Sequence, residues 1–95
     1  MAAYIIVDVT IHDPSRYGEY KEMAAATVAM YGGKYIARGG ATRTLEGDWA
    51  PGRAVLLEFP STERAYEWWD SAEYRPARDL RQSIATTQMV LVEGA

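Results

Sequence analysis

At 95 residues the chain holds one domain, and its 48% hydrophobic and 12% aromatic content is that of a folded protein rather than a disordered one. A net charge of −3 and a pI near 5.0 argue against the clustered basic face that nucleic acid or an anionic membrane surface would require. The absence of cysteine excludes disulfides, thiolate catalysis and Cys-based zinc sites.

The opening Met-Ala-Ala-Tyr-Ile-Ile-Val-Asp has no basic leader segment and meets Asp8 early. No apolar run approaches the roughly 20 residues of a membrane helix. A cytoplasmic location is the expectation. A domain of this size also buries only about 60–65% of its unfolded surface, so a second copy would usefully enlarge the core.

Tyr4 to Ile11 alternates as a strand. Ile5, Val7, Val9 and Ile11 form a purely apolar face, and Tyr4, Ile6, Asp8 and Thr10 a mixed one. Asp13-Pro14 starts a helix, because Asp accepts from free first-turn amides and proline has no amide to lose there. The helix runs to about Tyr31 and stops at Gly32. Tyr17, Tyr20, Ala24, Val28 and Tyr31 recur at helical spacing and form its inward stripe.

Gly32 to Phe59 reads as a hairpin whose turn centres near Asp48–Ala50, with a bulge or bend at Gly39-Gly40. This places Arg38 roughly opposite Glu58, a cross-strand pair of opposite charge. Val55, Leu57 and Phe59 make one apolar face of the second arm, and Ala54, Leu56 and Glu58 the other. An arm apolar on both sides is expected to be central and covered twice.

Pro60-Ser61 ends the arm and caps a second helix with Ala65, Trp68, Trp69 and Ala72 inside. A break over Ser71–Tyr74 follows, because residues before Pro76 avoid the helical region. Ala77, Leu80, Arg81 and Ile84 then share a face, and Thr87 to Glu93 is the last strand. The order β-α-β-β-α-β, with its second helix broken, predicts a single ferredoxin-like domain over residues 1–95. It is an α+β sandwich with a four-stranded antiparallel sheet and helices on one face. One helical layer covers one side of a sheet, so the other side needs a partner, and a homodimer is expected.

Five segments carry a resemblance to a known family. They are Tyr-Gly-Gly-Lys-Tyr-Ile-Ala-Arg-Gly-Gly (31–40), Leu-Glu-Gly (45–47), Glu-Phe-Pro-Ser (58–61), Trp-Trp-Asp-Ser-Ala-Glu-Tyr (68–74) and Leu-Val-Glu-Gly (91–94). In this order they resemble the domain-of-unknown-function family 1330, of the dimeric α/β-barrel superfamily. Trp69 is one departure, standing where that family is expected to carry tyrosine. The resemblance implies two ferredoxin-like sheets meeting face to face as one barrel. Superfamily relatives include haem-degrading and quinone-forming monooxygenases and isomerases, which use a cavity between sheet and helices.

Within that frame Tyr17, Tyr20, Trp68, Trp69 and Tyr74 are candidate aromatic lining, and each is equally accounted for as core. Arg38 and Glu58 are the catalytic candidates, one to polarise an anion and the other as base; a structural ion pair is the competing reading. Arg81 interrupts an apolar face and either enters a pocket or lays its stem over apolar surface. His12, the only histidine, sits between strand and helix cap as an exposed loop residue rather than a haem ligand. The chain has no asparagine, which haem-degrading relatives use beside Trp and His. No cofactor or metal is expected.

Three functions remain open. One is a homodimer binding a small aromatic or carboxylate molecule. The others are a cofactor-independent monooxygenase or isomerase, and a structural dimer without ligand.

Overall fold

The computed structural model describes residues 1–95. Seven elements follow in order. They are β1 (Ala3–Ile11), α1 (Pro14–Met30), β2 (Lys34–Arg38), β3 (Arg53–Phe59), α2 (Thr62–Asp70), α3 (Arg75–Ile84) and β4 (Ala85–Glu93). The strands form one sheet in the order β2-β3-β1-β4, with every pair antiparallel. This is the ferredoxin-like sandwich that the order of elements predicts.

Local chemistry sets the helix boundaries. Asp13 accepts from the Ser15 amide at 3.2 Å and Pro14 fills the first turn of α1. Gly32, at φ +77°, turns the chain out of the helix. Ser61 accepts from the Arg64 amide at 3.1 Å to open α2. Ser71 makes the break: its hydroxyl donates to the Trp68 carbonyl at 2.8 Å and accepts from the Tyr74 amide at 3.0 Å. The helix therefore ends at Asp70, and Ala72, expected on the inner stripe, is exposed.

The core lies between the sheet and the helices. Ile5, Val7 and Val9 of β1 and Val55, Leu57 and Phe59 of β3 meet Tyr17, Ala24 and Val28 of α1 and Trp68 and Tyr74 beyond β3. All are buried, as alternation and helical spacing predict. The opposite side of the sheet carries Tyr4, Ile6, Ala54, Leu56, Val90 and Val92, and no helix covers it. Val90 is 57% exposed and Val92 45%. The molecule is only 16 Å through its shortest axis, about the thickness of one sheet and one helical layer.

The hairpin departs from the sequence expectation. The first arm ends at Arg38, and residues 39–52 form a long connection instead of continuing strand. The bulge lies at Ile36, between the pairs Tyr35–Leu57 and Ala37–Leu56, and not at Gly39-Gly40. Gly39, at φ +73°, ends the strand. The extra residue reverses the alternation: Arg38 pairs with Val55 and faces the helices.

Glu58 lies on the opposite side of the sheet and pairs with Lys34 at 3.0 Å. The expected Arg38–Glu58 pair is therefore not formed. The Lys34 ammonium, then the Tyr4 hydroxyl, hold the Glu58 carboxyl below its ordinary range. A lowered carboxyl stabilises the fold above the ordinary glutamate range, and this is lost as pH falls through the lowered value. Thermal melts across acid pH are expected to show this loss in the wild type and a flatter acid limb in Glu58→Gln.

Candidate functional site

The concave surface on the helical side begins at Tyr17 and Tyr20, one helical turn apart on α1. Their rings lie 5.4 Å apart. They face Tyr35 and Arg38 of β2 and Arg53 and Val55 of β3, with Trp68 behind. Together they enclose a narrow slot of about 30 Å³, roughly the volume of one water. The slot opens into a wider mouth of about 560 Å³, bordered by Gly18, Lys21, Glu22, Ala25, Arg38 and Arg53.

Three cations, Lys21, Arg38 and Arg53, share this mouth with one carboxylate, Glu22. The ion pairs of the structure are Arg16–Glu19, Lys34–Glu58 and Arg64–Glu67. Lys21, Arg38 and Arg53 belong to none of them. The Arg38 guanidinium lies over the Tyr35 ring at 4.2 Å, and its Nη2 donates to the Lys21 carbonyl at 3.4 Å. Arg53 lies over Tyr17 at 5.4 Å, and its Nε is buried without a hydrogen-bond partner. An arginine with unused N–H groups beside aromatic faces is a ready anion receptor.

Gly39 holds this arrangement in place. Its positive φ disfavours any side chain, and a Cβ there would overlap the Arg53 guanidinium. Gly39→Ala is expected to lower stability by roughly 1–2 kcal/mol from the left-handed backbone alone, read as a lower melting temperature, and to displace Arg53.

Burial, chiefly, raises the Tyr20 hydroxyl above the usual tyrosine range, and the neighbouring Tyr74 adds to the effect. Burial raises Tyr35 likewise, opposed by Arg38. Both phenols are therefore neutral hydrogen-bonding groups at physiological pH.

Tyr17, Tyr20, Arg38 and Trp68, all singled out from the sequence, thus meet in one slot. Tyr74 stands behind Tyr20, with the two hydroxyls 2.9 Å apart, and Arg81 lies beside Tyr20 at 6.0 Å from its ring. Trp69 lies elsewhere. With Ile5, Ala65, Tyr66, Met89 and Leu91 it borders a wholly apolar groove of about 220 Å³ between α2 and β4. Glu58 is on the far side of the sheet, and the one carboxylate bordering the mouth beside Arg38 is Glu22.

Three slot residues escaped the sequence reading. Arg53 was accessible to it, because it continues the inward phase of Val55, Leu57 and Phe59. Tyr35 shares the inward face with Arg38 only through the bulge, and Lys21 gave no signal beyond following Tyr20. His12 is exposed, with its Nε2 2.6 Å from the Thr86 hydroxyl. No helix is long and apolar enough to cross a membrane.

Solved structures share the fold. RPA0582, a protein of unknown function from Rhodopseudomonas palustris, superposes with a TM-score of 0.80 at 19% identity, over 99% of this chain and 82% of that one. SnoaB, a cofactor-independent oxygenase from Streptomyces nogalater, gives 0.69 at 12% identity, covering 99% and 93%. A conserved protein from Methanosarcina mazei Go1 gives 0.58 at 16%, covering 100% and 95%. The search of curated proteins finds no match. The profile of the domain of unknown function DUF1330 matches residues 2–95, and the chain belongs to that family.

Proposed function

We propose that the protein is a homodimer in which each subunit binds a small aromatic anion between sheet and helices. The anionic group would sit at Lys21, Arg38 and Arg53, and the ring would enter among Tyr17, Tyr20 and Tyr35. The observation that carries this reading is the convergence of three cations, none in an ion pair and with Glu22 the one carboxylate beside them, on an aromatic slot in a chain of net charge −3. Arg38 is the element that must move, because the slot holds about one water as it stands. Little restrains it: it is exposed, and its bond to the Lys21 carbonyl is long at 3.4 Å.

Calorimetric titration with benzoate and salicylate tests the site. Losing one charge-assisted hydrogen bond costs about 1.5–3 kcal/mol, so Arg53→Met is expected to weaken binding by at least roughly tenfold. Absence of binding, or equal binding by Arg53→Met, would leave the structural dimer without ligand as the better account.

A second reading is a cofactor-independent oxygenase, supported by the fold shared with SnoaB. Arg38 would then hold an ionised phenol or enol for reaction with dioxygen. Glu58, on the other side of the sheet, has no part in it. Oxygen uptake with electron-rich polyphenols, lost in Arg38→Met, is the expected sign; uptake unchanged by that substitution refutes this reading.

A further inference from the structure

Arg81 is the most unusual side chain in the molecule. It lies on α3 between Ala77 and Ile84, and only 3% of its surface is exposed. Its Nε and Nη2 are both buried and both lack a hydrogen-bond partner. It takes part in none of the ion pairs. Beside it stands Tyr20, whose ring centroid lies 6.0 Å from the guanidinium carbon and whose hydroxyl is bonded to that of Tyr74 at 2.9 Å. The Tyr20 phenol is held neutral, chiefly by burial, and supplies no counter-charge.

A guanidinium keeps its proton at any pH at which proteins fold, so burial without an anion is a standing penalty. Natural cores avoid such groups except where function maintains them. The two unused nitrogens carry the argument further. Nε and Nη2 share the one side edge of the guanidinium whose N–H bonds run parallel. That edge matches the two oxygens of a carboxylate. In the tyrosine pair one hydroxyl donates to the other, which leaves one O–H free to donate elsewhere.

We propose that Arg81, with the Tyr20–Tyr74 hydroxyl pair, is an internal carboxylate-binding site, separate from the cationic mouth. Its ligand is a small monocarboxylate held by both parallel N–H groups and the spare phenol proton. Tyr20 is the door. It is partly exposed, and an outward turn of its ring breaks its hydrogen bond to Tyr74 and opens a path to Arg81. A purely structural arginine would stabilise the empty protein; an arginine kept for a ligand destabilises it until the ligand arrives.

Thermal melts in sodium formate and sodium acetate, against sodium chloride of equal ionic strength, separate these roles. The wild type is expected to gain several degrees in the carboxylate salts. Arg81→Met is expected to melt as high as the wild type or higher in chloride, and to gain nothing from carboxylate. A double variant at the mouth, Arg38→Met with Arg53→Met, is expected to keep the gain, which distinguishes this site from the one proposed above. Arg81→Met melting lower than the wild type in chloride, or retaining the carboxylate gain, overturns the proposal.

The wild type alone gives a second, independent readout. Formate is expected to shift the Arg81 Nε–Hε resonance in nitrogen–proton spectra. An unmoved resonance at formate concentrations that saturate any thermal response overturns the proposal as well.

Discussion

Trp68→Ala is expected to cost about 3–5 kcal/mol of stability, the range for deleting a large aromatic from a packed core. Trp68 is 1% exposed. Its ring centroid is 4.0 Å from that of Tyr74 and 5.4 Å from that of Phe59, so it joins the break after α2 to the central strand β3. Its Nε1 donates to the Thr27 hydroxyl at 3.0 Å, which fastens α1 to the same cluster. Three elements therefore lose their common neighbour at once. A domain with about 5–15 kcal/mol in total can lose most of its margin this way. Urea unfolding should show the midpoint falling with little change in slope. Trp68→Phe, which retains a ring, should recover more than half of the loss. A decrease below about 1 kcal/mol for the alanine variant would mean that this cluster is not the centre of the fold.

The second large effect concerns the bare side of the sheet. Ile6→Asp is expected to abolish the proposed dimer. Ile6 lies mid-strand in β1, opposite Leu56 on one side and Val90 on the other. The charged groups near it are already engaged. Lys34 and Glu58 neutralise each other, and Asp8 accepts from Trp49 Nε1 at 2.8 Å and the Gly52 amide at 3.0 Å. A new carboxylate there would find no cation when a second copy closes over it. Stranding a charge in this way costs roughly 3–5 kcal/mol per group, and a two-fold interface incurs it twice. Light scattering at micromolar concentration should give a dimer for the wild type and a monomer for Ile6→Asp. A monomeric wild type would remove the dimer from the proposed function and leave the aromatic slot untouched.

Much of this structure follows from periodicity. The alternation in β1 assigns one side to the core, and the α1 stripe of Tyr17, Ala24 and Val28 is buried as spaced. Arg81 stood out as the one charge on an apolar face, and it is buried there. What periodicity does not contain is a change of phase. The Arg38–Glu58 pairing assumes a turn centred near Asp48–Ala50, whereas Glu58 meets Lys34, and nothing in Tyr35-Ile36-Ala37 marks the extra residue. A long connection after Arg38 was equally hard to read, because Thr42, Arg43, Thr44 and Leu45 suit a strand as well as a loop. Slot membership depends on both features. Tyr17 and Tyr20 could therefore be named from the sequence and Arg53 lay within its reach, whereas the company of Tyr35 could not be.

The extra residue at Ile36 has a consequence for comparing relatives. In most strands, losing one residue turns every later side chain to the wrong side. Here Lys34 and Ala37 point one way and Tyr35 and Arg38 the other, as they would in an unbroken strand from which Ile36 had been removed. A homologue one residue shorter at this position would still present its tyrosine and arginine to the helices. Alignment gaps at position 36 should therefore be neutral for this surface.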